Sequence, residues 1–242
     1  MKSRRAWWLA PSTIVWFQIA ALALLLTPLV WRDFGTLASL RFAAVLAVTG
    51  ILLPLILYWL RRRVGPEPNT IANVLTLARL VVGCALVALV LSGAHDRLRA
   101  AAVVIWALVV FSATLGDWLD GPIARREGTT KFGVMLDIES DSWLTLWSAL
   151  AAVTLGDVPW ICLLAPLIRY LHPLLDLSTG RVPEGGGPWW SRVTGVAQMA
   201  MLLWGFAPVA GALRDTLLGA FIWPVSLAQV FTMLALLALR RR

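Results

Sequence analysis

Apolar residues run along this chain in long unbroken blocks, not in alternation with polar ones. The first block covers about Thr13 to Trp31 and the second about Leu40 to Leu60; six more follow near 71–93, 98–116, 132–156, 158–175, 193–213 and 217–239. A helix needs ~20 apolar residues to cross a bilayer core, so each block predicts a transmembrane helix, the one at 158–175 being the shortest. Membrane barrels alternate over segments of ~10 residues, and no such alternation occurs here. Only helices then satisfy their own backbone in lipid, and the expectation is an all-α integral membrane protein with eight helices. The stretch Val64 to Thr70, with Gly65, Pro66 and Pro68, reads as a linker and divides residues 1–65, holding two helices, from residues 66–242, holding six. Met1 to Ala10 forms a basic, Trp-bearing head. The block behind it is longer than a signal-peptide core of ~7 to 15 residues, so it reads as an uncleaved first span.

Composition agrees with this pattern. Of 242 residues, 60% are hydrophobic and 14% charged, and there are 14 Trp. The formal net charge of +8 raises nucleic acid as a partner. The basic residues, however, cluster in short segments between apolar blocks, as membrane topology requires, and nucleic-acid binding is excluded on that ground. With both termini on one side, that side holds fifteen basic residues and the other five, Arg79 alone lying inside a span. The more basic side is the cytoplasmic one, as in a bacterial cytoplasmic membrane. Trp31, Trp59, Trp160, Trp189, Trp190 and Trp223 fall near span ends, where indoles favour the headgroup layer. Cys84 and Cys162 lie within apolar blocks and read as small buried hydrophobes.

One stretch departs from the hydrocarbon background. Asp117 to Asp141 reads DWLDGPIARREGTTKFGVMLDIESD and spans the end of the fourth predicted helix, a polar loop and the start of the fifth. Carboxylates at membrane depth are costly and mark functional sites. Asp117 and Asp120 are three apart and Asp137 and Asp141 four apart, so each pair shares a helix face. Four converging carboxylates repel unless protonated, paired with base or neutralised by cations, and clustered hard oxygens suit Mg²⁺ or Mn²⁺. Gly121 and Gly133 offer bare backbone for a close ligand, and Arg125 and Arg126 add positive charge suited to phosphate. Metal, base and proton acceptor around a phosphate are the components of phosphoryl transfer.

The spacing D-x2-D-G-x2-A-R-x7-G-x3-D-x3-D, filled without mismatch by Asp117, Asp120, Gly121, Ala124, Arg125, Gly133, Asp137 and Asp141, resembles the signature of the CDP-alcohol phosphotransferases. The resemblance covers roughly Asn69 to Leu239 and implies a six-helix core, here preceded by two extra transmembrane helices. It implies that Asp117, Asp120, Asp137 and Asp141 hold two Mg²⁺ or Mn²⁺ ions, with Asp141 also taking the proton of the acceptor hydroxyl. Gly121, Ala124 and Gly133 would keep the cavity wall low for cytidine, and Arg125 would hold its phosphates. Asn73, Thr76 and Arg79, in NVLTLAR, resemble the family's first core helix and would line the nucleotide end. The implied reaction transfers a substituted phosphate from a CDP-linked donor, CDP-diacylglycerol foremost, to an alcohol with release of CMP in phospholipid biosynthesis. The family also implies a homodimer as an arrangement open to the chain.

The acceptor is less sharply marked. Ser142 follows Asp141 where many users of CDP-diacylglycerol place Lys, a choice that also resembles the aminoalcohol phosphotransferases, which join CDP-choline or CDP-ethanolamine to diacylglycerol. The stretch SRVTGVAQM, Ser191 to Met199, is loosely similar to a basic stretch of glycerophosphate-type synthases. Lys131, Arg169 and Arg192 lie on the predicted cytoplasmic side and suit a phosphorylated acceptor. His172, His95 and Glu139 read as interfacial, solvated and structural groups rather than catalytic ones. A non-catalytic divalent-cation carrier is the rival class, but carrying cations requires no arginine beside the carboxylates, and the enzyme is the stronger expectation.

Overall fold

The computed structural model describes residues 11–64, 70–92, 131–170, 188–206 and 212–240, and these are helical without a strand among them. In order they form α1 (Pro11–Phe34), α2 (Thr36–Val64), α3 (Ile71–Leu91), α4 (Lys131–Thr154), α5 (Trp160–Tyr170, opening with a 3₁₀ turn over Trp160–Leu163), α6 (Trp189–Phe206) and α7 (Ala212–Arg240). Among the described residues three stretches are long and apolar enough to cross a membrane: Val15–Phe34, Thr36–Tyr58 and Ala212–Leu239. The predicted block at 98–116 lies outside the described residues. The chain divides into two compact units, the first running through residue 144 apart from 99–107, the second made of 99–107 and 145–242.

In the first unit α1, α2 and α3 pack on one another. Along α2 the side chains of Phe42, Leu46, Thr49, Leu53 and Leu57 are buried, at spacings of three and four that form one stripe. The opposite face exposes Leu40, Val48, Ile51, Leu52 and Leu55. Such a face would be a liability in water, and against lipid it is the expected outer surface. Lipid also removes the hydrophobic drive between helices, so association depends on close packing and interhelical polar contacts. Gly50 supplies the first: a Cβ there would stand 3.2 Å from Trp16 Cζ3 and 3.4 Å from Ile19 Cδ1. Gln18 Nε2, donating to Val74 O at 3.5 Å, supplies the second.

The join between α1 and α2 is shorter than the polar pattern suggests. Residues 32–39 separate the two apolar blocks in sequence, yet only Gly35 interrupts the helices. Its φ of +84 is left-handed, a region L side chains avoid, and its N–H reaches Trp31 O at 3.0 Å to close α1. The next helix starts at once, because Ser39 bonds Gly35 O through both N–H (3.2 Å) and Oγ (3.0 Å).

The second unit begins within α4. That helix ends on a Schellman motif with Gly156 at φ +77: Gly156 N–H bonds Val153 O at 3.1 Å and Asp157 N–H bonds Ala152 O at 3.0 Å. Helix α6 starts at Trp189, four residues ahead of the expected 193, because Ser191 and Arg192 are accommodated in its first turn. Ser191 bonds Pro188 O through N–H (3.0 Å) and Oγ (2.8 Å). A polar seam joins these helices inside apolar surroundings. Thr194 Oγ1 donates to Thr232 Oγ1 at 3.2 Å, Gln198 Nε2 donates to Cys162 O at 2.8 Å, and Cys162 Sγ meets Ser226 Oγ at 3.3 Å. Ser226, Gln229 and Thr232 are buried at three-residue spacing on one face of α7.

Candidate active site

The site is anchored on α3, whose start is set by one threonine. Thr70 Oγ1 accepts the N–H of Asn73 at 3.1 Å and Thr70 O accepts that of Val74 at 3.2 Å, an N-cap that satisfies orphan donors of the first turn. The register this fixes brings Arg79, the lone charge of α3, to a position 2% exposed. A buried guanidinium without acidic partners is strongly destabilising, and here two carboxylates of α4 meet it. Arg79 Nη1 donates to Asp137 Oδ1 at 3.3 Å and also to Asp141 Oδ1. Ser140 Oγ, fully buried, lies 3.5 Å from the same nitrogen and donates to Asp137 O at 2.9 Å.

Helix geometry explains the convergence. Positions 137, 140 and 141 are related by three and four residues, so the three acceptors stack on one face within ~6 Å of rise. The faces turned from Arg79 remain accessible: the side chains of Asp137 and Asp141 are 48% and 57% exposed. Among the described residues one buried cation thus meets two acids, each with about half of its side chain exposed.

The other predicted site residues fall as follows. Gly133 is the third residue of α4, half-buried, and Lys131 is its first and exposed. Asn73 and Thr76 are each 4% exposed; Thr76 Oγ1 bonds back to Ala72 O at 3.1 Å, while Asn73 Nδ2 is buried with no hydrogen-bond partner among the described residues. Arg169 on α5 and Arg192 on α6 belong to the second unit. Asp117, Asp120, Gly121, Ala124 and Arg125 lie outside the described residues. Among the described residues no group of three metal-ligating side chains occurs. Sequence reasoning overlooked Ser140 and did not pair Arg79 with the carboxylates. The available signal was the solitary charge in an apolar helix, which demands acidic partners.

Three stretches of membrane-crossing length among the described residues make this a multi-pass membrane protein, and between α3 and α4 a buried arginine meets two carboxylates. The chain belongs to the CDP-alcohol phosphatidyltransferase family, whose model matches residues 69–239. Two similar proteins, each named "Probable phosphatidylglycerophosphate synthase", come from two strains of Mycobacterium tuberculosis. Each is 40% identical over 123 residues, covering 48% of this chain and 57% of the relative, so the chain spans little more than half the length of the curated relatives it matches. No solved structure matches.

Proposed function

We propose that the chain transfers a phosphatidyl group from CDP-diacylglycerol to a hydroxyl of a glycerol phosphate, releasing CMP. The observation that carries this reading is the contact of Arg79 with Asp137 and Asp141, which brings the last two acids of an unbroken family signature to one point. The name of the two relatives, a synthase of phosphatidylglycerophosphate, favours a phosphorylated glycerol as acceptor over other alcohols. In architectural terms, residues 1–65 form two helices outside a six-helix catalytic domain at 66–242, eight helices in all. Termini and site face the cytoplasm, where charged donor and acceptor are supplied.

In the reaction the acceptor hydroxyl oxygen forms a bond to the phosphorus bearing diacylglycerol. The bond from that phosphorus to the bridging oxygen breaks, and CMP leaves with the electron pair. The hydroxyl proton passes to the Asp141 carboxylate, which Arg79 and the α4 backbone hold in direction. Gly121, Ala124 and Gly133 leave room for cytidine, Arg125 pairs with the donor phosphates, and Asn73 and Thr76 border the nucleotide. On the sequence pattern, Lys131, Arg169 and Arg192 are the basic residues suited to an acceptor phosphate.

The donor set fits a divalent ion of the Mg²⁺ or Mn²⁺ kind. Asp137 and Asp141 present hard oxygens one turn apart, with about half of each side chain exposed for ion and water. They would hold the ions together with Asp117 and Asp120. Such ions, when bound, offset charge on the diphosphate and on the departing CMP.

The test uses purified full-length chain with paired substrates. CMP is expected from CDP-diacylglycerol with glycerol 3-phosphate. Release from CDP-choline with diacylglycerol instead, or from no pair, would sink the proposal.

A further inference from the structure

Both carboxylates turn the same atom, Oδ1, to the same nitrogen, Arg79 Nη1, and Ser140 Oγ stands 3.5 Å from it as a third acceptor. The guanidinium is 2% exposed, in the first unit and on a helix with no other charge. Guanidinium does not deprotonate at any pH a protein survives, so this positive charge is permanent. Burial also keeps it poorly screened. Any divalent ion drawn to Asp137 and Asp141 is therefore attracted by two carboxylates and opposed by a cation that already touches both.

We propose that Arg79 is a built-in counter-cation that limits how tightly the Asp137 and Asp141 pair holds a divalent ion while fixing the direction of both carboxylates. It is a positioning residue acting through the acids, where the sequence pattern alone suggested a place at the nucleotide end. The inference rests on the reading of that pair as the metal-holding acids of the transferase.

The two effects of removing Arg79 have opposite signs. Loss of its charge removes repulsion and tightens ion binding. Loss of its fork lets Asp141 turn away from the acceptor hydroxyl and slows turnover. A merely structural role would weaken both, because a loosened site binds ions less well and works less well.

Mn²⁺ affinity of the full chain in detergent, followed by the spin-resonance signal of free Mn²⁺, reads the first effect without turnover. Arg79→Gln is expected to bind Mn²⁺ ~10-fold or more tightly than wild type, since one unit of close positive charge is gone. Arg79→Lys keeps the charge and loses the planar fork, so its Mn²⁺ affinity should stay within about threefold of wild type, with kcat down ~10-fold or more and the donor KM nearly unchanged. If Arg79→Gln does not fold, Arg79→Lys decides alone: an unchanged kcat, or a raised donor KM at normal kcat, overturns the inference. So does Mn²⁺ binding by Arg79→Gln that equals or falls below wild type. CMP release by the wild type separates this failure from failure of the underlying reading. Equal Mn²⁺ binding with normal CMP release sinks the counter-cation alone. Tighter Mn²⁺ binding by Arg79→Gln with no CMP release from wild type supports the counter-cation and sinks the transferase.

Discussion

Asp141→Asn separates the two duties assigned to the acidic pairs. The substitution keeps shape and an acceptor oxygen while removing charge and basicity. Taking one partner from a fully buried ion pair costs ~3–5 kcal/mol. Here Arg79 keeps Asp137 at 3.3 Å and Ser140 at 3.5 Å, and the Asp141 side chain is 57% exposed, so the loss should be near ~1 kcal/mol, small against a typical stability of ~5–15 kcal/mol. The variant should therefore fold, and its kinetics report chemistry. Asp141 lies one turn beyond Asp137 along α4, ~6 Å farther from the start of the helix and, on the proposed reading, nearer the approach of an acceptor hydroxyl. Losing a general base lowers turnover by ~10² or more, or at least ~2.7 kcal/mol of barrier. Donor affinity, measured by calorimetric titration with CDP-diacylglycerol and Mg²⁺, should stay within a few-fold of wild type. Asp117→Asn, which on the proposed reading removes a ligand of the ion on the diphosphate, should weaken donor binding itself. Should Asp141→Asn lose donor affinity as severely as Asp117→Asn, Asp141 is chiefly a metal ligand and the base lies elsewhere.

Turnover should vanish in chelator and return with Mg²⁺ or Mn²⁺, and Asp120→Asn or Asp137→Asn should each remove most of it; full CMP release in chelator would end the metal assignment. Cysteines introduced at Ala94 or Thr154 should react with an impermeant reagent from outside and one at Gly186 should not, the reverse pattern inverting the orientation. Thr154 is the better probe at this helix end, since Gly156 at φ +77 would strain any replacement. Gln198→Leu strips the donor from buried Cys162 O and should cost ~1–3 kcal/mol, seen as a lower unfolding midpoint in detergent; an unchanged midpoint would mean that the 2.8 Å bond contributes nothing net.

The helices were legible because lipid leaves a single solution for long apolar blocks, and α3 and α4 begin within one residue of their expected positions. The errors fall where charge was taken to mean loop. Arg32 and Asp33 are compatible with helix when their heads reach a polar layer, and Gly35 alone turns the chain. The start of α6 was misjudged for the same reason, since Ser191 and Arg192 fit a first turn whose backbone needs are met by Pro188 O. The site divides similarly. The i, i+4 spacing of Asp137 and Asp141 is a property of one helix, hence readable. The meeting of Arg79 with them, 58 and 62 residues away in sequence, is tertiary, and no local pattern encodes it.

Burial and function converge in that contact. Lipid gives α3 and α4 no hydrophobic reason to associate, whereas a guanidinium at helix depth has a strong reason to stay beside its carboxylates. The ion pair that orients the acids also holds their helix against α3. Through Gln18 on Val74 O and the packing of both on α3, the two N-terminal helices, which lie outside the family match, brace the helix that carries Arg79. A small shift of α3 would move Nη1 relative to two oxygens, at distances where hydrogen bonds weaken steeply. The N-terminal helices thus bear on the geometry of the acids without contributing a residue to the signature.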